Sequence, residues 1–259
     1  EPLAHMNLRL GYGMGFRAPT LKEKYYEFDM AGIWVVVGNP NLKAEVSHNF
    51  NLSAEYAKGG YNFTLNGYYN YITNKIATGA PYLASPTDLI PHLSYINLAT
   101  HSVVGIEAAV QGHWRNGLSA RLAYTLTAEN LPRNKAGKRM ISQYISARKH
   151  SLMVHADWEH RFHKNFGMTL GIDGRYLSGV TNPEYIDYYD VSKGMRDIEY
   201  PGYTLWKLSA AGQFRKGVKV TLALDNLFNY RPKYYYLNSP LTDGINVMLG
   251  VSIDIDKLF

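Results

Sequence analysis

Apolar and polar residues alternate with a period of two along segments of about ten residues, and the pattern recurs to the end of the chain. In the last segment Val247, Leu249, Val251, Ile253, Ile255 and Phe259 share one parity, and Gly250, Ser252, Asp254 and Asp256 the other. Successive side chains of a strand point to opposite faces, so each such segment reads as a strand with one apolar and one wet face. Tyr61, Phe63, Leu65, Gly67, Tyr69 and Tyr71 alternate in the same way with Asn62, Thr64, Asn66, Tyr68 and Asn70. Val46, Phe50, Leu52, Ala54 and Tyr56 oppose Glu45, Ser47, Asn49, Asn51, Ser53 and Glu55, with His48 the one polar intruder on the apolar side. Further segments lie near 5–16, 102–114, 117–129, 150–162, 165–178, 202–215 and 217–228, which brings the expectation to about ten strands.

The connections alternate in length. Lys58-Gly59-Gly60, Arg115-Asn116-Gly117, His163-Lys164-Asn165 and Arg215-Lys216-Gly217 are short and rich in residues that tolerate tight turns. The segments near 17–43, 76–95, 130–148, 180–201 and 229–244 are long and richer in Pro, Tyr, Asn and charge. Outer-membrane barrels show this asymmetry, with short periplasmic turns and longer extracellular loops. Aromatic residues should then ring both ends of the strands. Tyr56, Tyr61, Trp114, Phe162, Phe166 and Phe214 flank the short turns, and Phe16, Tyr69, Tyr71, Tyr124, Tyr176 and Tyr203 stand at the opposite ends. A soluble β-sandwich also alternates, but it does not call for the loop asymmetry and the aromatic ends together. The expected fold is therefore all-β, a transmembrane antiparallel up-and-down barrel segment, with residues 1–259 forming one barrel domain.

Composition agrees with this reading. Tyrosine, at 22 residues against 9 Phe and 4 Trp, is the ring suited to a boundary between apolar and wet surroundings. No apolar run reaches the roughly 18 to 20 residues of a spanning helix. The formal charge of +6 is not gathered into the basic face of a nucleic-acid binder, so no nucleic-acid partner is expected. With no cysteine, neither a disulfide framework nor a thiolate metal site is available, and no histidine pair has metal-ligand spacing. Glu1-Pro2-Leu3-Ala4-His5 lacks the features of a signal peptide, which suggests a processed chain or a fragment.

Two stretches carry a family resemblance. Phe16-Arg17-Ala18-Pro19, followed by Gly38-Asn39-Pro40-Asn41-Leu42-Lys43-Ala44-Glu45, resembles the paired boxes of TonB-dependent receptors, with Ala44 in place of a usual second proline. Leu224-Asp225-Asn226-Leu227-Phe228-Asn229 and the terminal Phe259 are similar to the family's C-terminal signature, in which a last aromatic residue serves as an assembly signal. The resemblance implies the last part of a plugged barrel of about 22 strands, with the plug and first strands absent. It also implies uptake of an iron compound, haem or a siderophore, and a TonB complex engaged through the missing plug. Outer-membrane lipids, lipopolysaccharide and a surface lipoprotein or haem-binding protein are the further partners it suggests.

Within the boxes, Asn39-Pro40 is suited to fix a turn, Leu42 to pack the loop on the rim, and Glu45 to begin the polar row. The candidate ligand-contacting residues are Arg17, Tyr25, Tyr26, Met30, His92, Arg139, Tyr188 and Tyr235. Phenolate and thioether groups can serve as axial haem ligands, which singles out Tyr25, Tyr26 and Met30. Haem or a ferric siderophore enters as cargo, and neither a resident cofactor nor a catalytic group is expected. The rival readings are a small passive pore or adhesin, a cobalamin receptor, and a rim protease. The protease would need histidine beside Asp187, Asp190, Asp197 and Glu199, and none is placed there.

Overall fold

A computed structural model describes residues 4–130, 146–187, 193–214, 217–233 and 242–254. The elements in chain order are β1 (Met6–Arg17), helix α1 (Leu21–Tyr25), β2 (Glu27–Met30), β3 (Trp34–Val37), β4 (Glu45–Lys58), β5 (Tyr61–Thr78) and β6 (His92–His113). Then follow β7 (Leu118–Asn130), β8 (His150–His163), β9 (Phe166–Leu177), β10 (Val180–Tyr185), β11 (Met195–Tyr200), β12 (Tyr203–Phe214), β13 (Val218–Asp225) and β14 (Asn246–Ile253). Ten of these form an antiparallel meander in the order β1-β4-β5-β6-β7-β8-β9-β12-β13-β14. Among the described residues β1 and β14 are the two open edges of this wall. Among the described residues no helix is long and apolar enough to cross a membrane.

The register carries the two faces across the whole wall. Leu8 lies opposite Ala54, Ala54 opposite Leu65, and Leu65 opposite Ala108. At the other end Ile172 lies opposite Leu208, Leu208 opposite Leu224, and Leu224 opposite Val247. The other parity aligns Arg9, Ser53, Asn66, Glu107, Thr125 and Ser151. A slip of one residue in any strand would put part of this polar row on the apolar face, so the pattern itself fixes the register.

His48, the polar intruder, is accommodated locally. Its Nδ1 lies 2.8 Å from the Tyr12 hydroxyl, with the two rings stacked at 6.1 Å. Tyr124 and His150 repeat the arrangement at 2.7 Å and 6.1 Å. In each pair a tyrosine on the neighbouring strand meets an outward histidine whose unpaired nitrogen would be costly in an apolar setting.

Rings at the short-turn end touch in series. Tyr61 meets Trp114 edge-on at 5.8 Å, Phe162 stacks on Phe166 at 5.8 Å, and Phe166 lies 5.3 Å from Phe214. At the other end Tyr12, Phe50, Tyr69 and Tyr71 form a second run. Tyr203 departs from the expected girdle. It pairs with Leu177 on the inner parity, is buried, and stacks on Tyr230 at 5.1 Å.

The long connections hold more structure than their composition suggested. β5 and β6 continue to Thr78 and back from His92, so the 76–95 segment is largely a tall hairpin. The 17–43 segment holds α1, β2 and β3, and the 180–201 segment holds the β10-β11 hairpin. Most of the buried apolar residues sit here, Val36, Leu42, Ile76, Leu93 and Leu98 under the first loop and Val180, Tyr185 and Tyr200 at the second hairpin, while Tyr203, Ala211 and Ala223 are buried on β12 and β13. Burial of each such side chain stabilises by about 1.5–3 kcal/mol, which suffices to hold the loops on the rim.

Candidate ligand-binding rim

Pro19 cannot donate to a ladder, and β1 ends just before it at Arg17. Thr20 then caps α1: its hydroxyl accepts the Glu23 amide, and the Glu23 carboxylate receives the Thr20 amide at 2.8 Å. The same carboxylate receives both contacts of Arg17 Nη1, at 3.0 and 3.1 Å. Burial acts to raise the Glu23 pKa, but the Thr20 amide and the Arg17 guanidinium prevail and hold it below the usual carboxylate value.

Arg17 reaches the second box through its other nitrogen. Nη2 lies 3.0 Å from Glu45 Oε1, which also accepts the Ile76 amide at 2.6 Å. The turn of the second box is fixed from several sides. Asn39 Nδ2 donates to the Tyr95 carbonyl at 2.9 Å, and its Oδ1 accepts the Asn41 amide at 3.0 Å. The Asn39 amide donates to the Glu23 carbonyl at 2.8 Å. Asn97 Oδ1 receives the Lys43 amide at 2.7 Å while its Nδ2 donates back to the Lys43 carbonyl at 2.9 Å. Gly38 is required by close approach, since a Cβ there would lie 2.6 Å from the Tyr25 nitrogen. Leu42 is buried beneath this turn.

β2 pairs with β3, and β3 pairs in parallel with β6, so that Asp29, Val35 and His92 share a register line. The backbone of His92 exchanges both hydrogen bonds with Tyr82. β3 therefore takes the opposite edge of β6, above Ser102 and Asn130 where its pairing with β7 stops. Trp34 in β3 meets Tyr185 of the β10-β11 hairpin, ring to ring at 5.6 Å. Three connections thus converge on one mouth.

The candidate residues divide within this frame. Phe16 lies in the outward row, and Arg17 is engaged by two carboxylates. Tyr25, Tyr26 and Met30 are exposed on the outer loop beside exposed Leu21 and Ile33. Lys22 and Lys24 lie over the rings of Phe28 and Tyr25, at 4.2 and 5.9 Å. His92 is the first residue of β6, half-buried, with its ring near Tyr82 and Nε2 4.0 Å from Asp88. It therefore belongs to a strand and not to the interior of a loop, and it shares the β2-β3-β6 layer with Met30. Arg139, Tyr188, Tyr235 and Phe259 lie outside the described residues.

Sequence reasoning missed Trp34, which meets Tyr185 at the mouth. The Trp34–Val37 run was the available signal, an unbroken apolar strand inside an otherwise polar connection. Arg148 donates to the Ser178 and Pro201 carbonyls and lies over the Tyr203 ring at 4.9 Å. Below the mouth the inner face is charged. His155 stands between Asp173 at 2.7 Å and Asp157 at 2.8 Å, beside a concavity lined by Arg121, Arg175, Lys207 and Asp225.

A wall of ten antiparallel strands with an apolar outer row, a polar inner row, two rings of aromatics and loops fastened over one end is that of an outer-membrane β-barrel. The chain belongs to the TonB-dependent receptor family: the family model described as "TonB dependent receptor-like, beta-barrel" matches residues 1–227. It is 25% identical over 254 residues to the iron-regulated outer membrane virulence protein of Vibrio cholerae, covering 94% of this chain and 36% of that protein. Among solved structures it resembles the FrpB iron transporter of Neisseria meningitidis, with a TM-score of 0.68 at 17% identity over 97% of this chain and 37% of that one. It also resembles the ferric enterobactin receptor of Pseudomonas aeruginosa, with a TM-score of 0.64 at 21% identity over 89% of this chain and 34% of that one. The chain thus spans about a third of the length of the relatives it matches.

Proposed function

We propose that this chain is the ligand-admitting wall and rim of a receptor that takes up an iron compound across the outer membrane. The observation that carries the reading is the rim itself: two boxes joined through Arg17, Glu23 and Glu45, holding an exposed aromatic and cationic loop over a polar lumen. The family match and the iron-related names of its relatives support it. The favoured cargo is an anionic ferric siderophore, for which Lys22 and Lys24 supply charge and Tyr25 and Tyr26 supply flat contact area. Haem is the second reading, favoured by Tyr25, Tyr26, Met30 and His92 as donors near one layer of the rim.

Transport in this reading needs a plug and a TonB complex, and the loops would meet lipopolysaccharide or a surface lipoprotein or haem-binding partner. The chemistry is binding and translocation, with no catalytic step. The test is binding of ferric enterobactin, haemin and cobalamin to the full-length receptor, measured by tryptophan quenching and by uptake of radioactive iron in cells. Saturable binding of an iron compound with TonB-dependent uptake supports the proposal. Binding of cobalamin alone, or uptake that is indifferent to TonB, overturns it.

A further inference from the structure

Each short turn carries a cation and no carboxylate: Lys58 in the first, Arg115 in the second, Lys164 in the third, Arg215 and Lys216 in the fourth. Lys58, Arg115 and Lys164 are exposed, and among the described residues none of the three makes an ion pair or a side-chain hydrogen bond. At the opposite end Lys22, Lys24 and Lys43 likewise make no ion pair among the described residues, but two other cations are engaged. There Arg17 faces Glu23 and Glu45, and Lys193 faces Asp187 at 2.7 Å. Unpaired cations on neighbouring hairpins present a positive edge that an external anion can meet.

From this we infer that the periplasmic rim binds anionic phospholipid headgroups of the inner leaflet. Placement argues for lipid. Lys58 follows Tyr56 on the outward row and pairs with Tyr61; Arg115 adjoins Trp114; Lys164 lies two residues beyond Phe162. Tyr56, Tyr61, Trp114 and Phe162 are exposed, as rings at the headgroup boundary are. The cations stand just beyond them, at the depth of lipid phosphates. The nearby carboxylate Glu159 lies on the inner parity, as does Arg161, and both face away from lipid. Two strands separate successive turns, roughly 10 Å at about 4.8 Å per strand. Such even spacing along the membrane plane fits a sheet of headgroups better than one compact acidic protein.

The inference rests on the short turns facing the periplasm and is independent of the cargo. Its test is native mass spectrometry of the full-length receptor with phosphatidylglycerol or phosphatidylcholine added at equal concentration. The unaltered receptor should retain phosphatidylglycerol preferentially, and K58Q/R115Q/K164Q should lose that preference by about five-fold or more. The charge-preserving K58R/R115K/K164R should keep it. Raising the salt concentration on the unaltered receptor should erode the preference without any substitution. Equal retention of the two lipids by the unaltered receptor, or a salt-insensitive preference, overturns the inference.

Discussion

Arg17 Nη2 and Ile76 N meet on one oxygen, Glu45 Oε1, at 3.0 and 2.6 Å, so a single carboxylate ties the end of β1 to the top of β5. Removing it leaves a buried amide without an acceptor and a guanidinium with one partner fewer. Glu45→Ala should loosen residues 18–44 by about 1–3 kcal/mol. Glu45→Gln, which can keep the amide bond, should cost less. Limited proteolysis of the folded receptor reads both, and equal resistance of Glu45→Ala and the unaltered protein would count against the tie.

Glu23 gives the rim a dependence on acid. Its pKa is lowered on folding, so its contribution is complete above the ordinary carboxylate range and is lost as pH falls through the lowered value. Hydrogen exchange in the 18–44 segment, corrected for intrinsic rates, should accelerate as pH falls below the ordinary carboxylate range. Glu23→Gln should exchange faster at neutral pH and show a flatter acid response.

Gly38 and Gly13 form a matched pair. A Cβ at Gly38 would press on the Tyr25 nitrogen at 2.6 Å and the Lys24 carbonyl carbon at 2.7 Å, whereas one at Gly13 meets nothing within 4 Å. Gly38→Ala should weaken loop docking by roughly 1–3 kcal/mol and reduce cargo affinity, while Gly13→Ala should leave both unchanged. Calorimetric cargo titration separates them.

The two faces of β14 should respond oppositely to charge. Leu249 lies opposite Leu222 in the outward row, and Ser252 lies opposite Lys219 on the inner face. Leu249→Arg should impair assembly by about 2–4 kcal/mol if it falls near the midplane. Ser252→Glu should assemble normally. Outer-membrane yield with heat-modifiable gel mobility is the readout, and normal assembly of Leu249→Arg would contradict the facing.

These contrasts show what was legible before the structure. The ten-strand wall followed from parity, because one apolar face against lipid imposes a period of two over long segments. The boxes were visible as motifs, but the partners of Arg17 were not, since Glu23, Glu45 and Ile76 come together only through tertiary pairing. β3 was hidden for a related reason. Trp34-Val35-Val36-Val37 does not alternate, being covered on both faces, and its partner His92–Ser94 is distant in sequence. The tyrosines were read as a class, and Tyr203 shows the limit of that reading, since parity at a strand end decides between lipid and interior.

The parallel pairing of β3 with β6 bears on how a bound molecule could be felt inside the wall. In sheet order β4 and β5 lie between β1 and β6, so the segment that leaves β1 comes down beyond two intervening strands before returning to β4. It works as a tie rod across the mouth. Tyr25 and Met30 therefore ride on a segment fastened at two places, at Arg17 on one side and Leu93 on the other, so that a displacement of either residue would load β1 and β6 together.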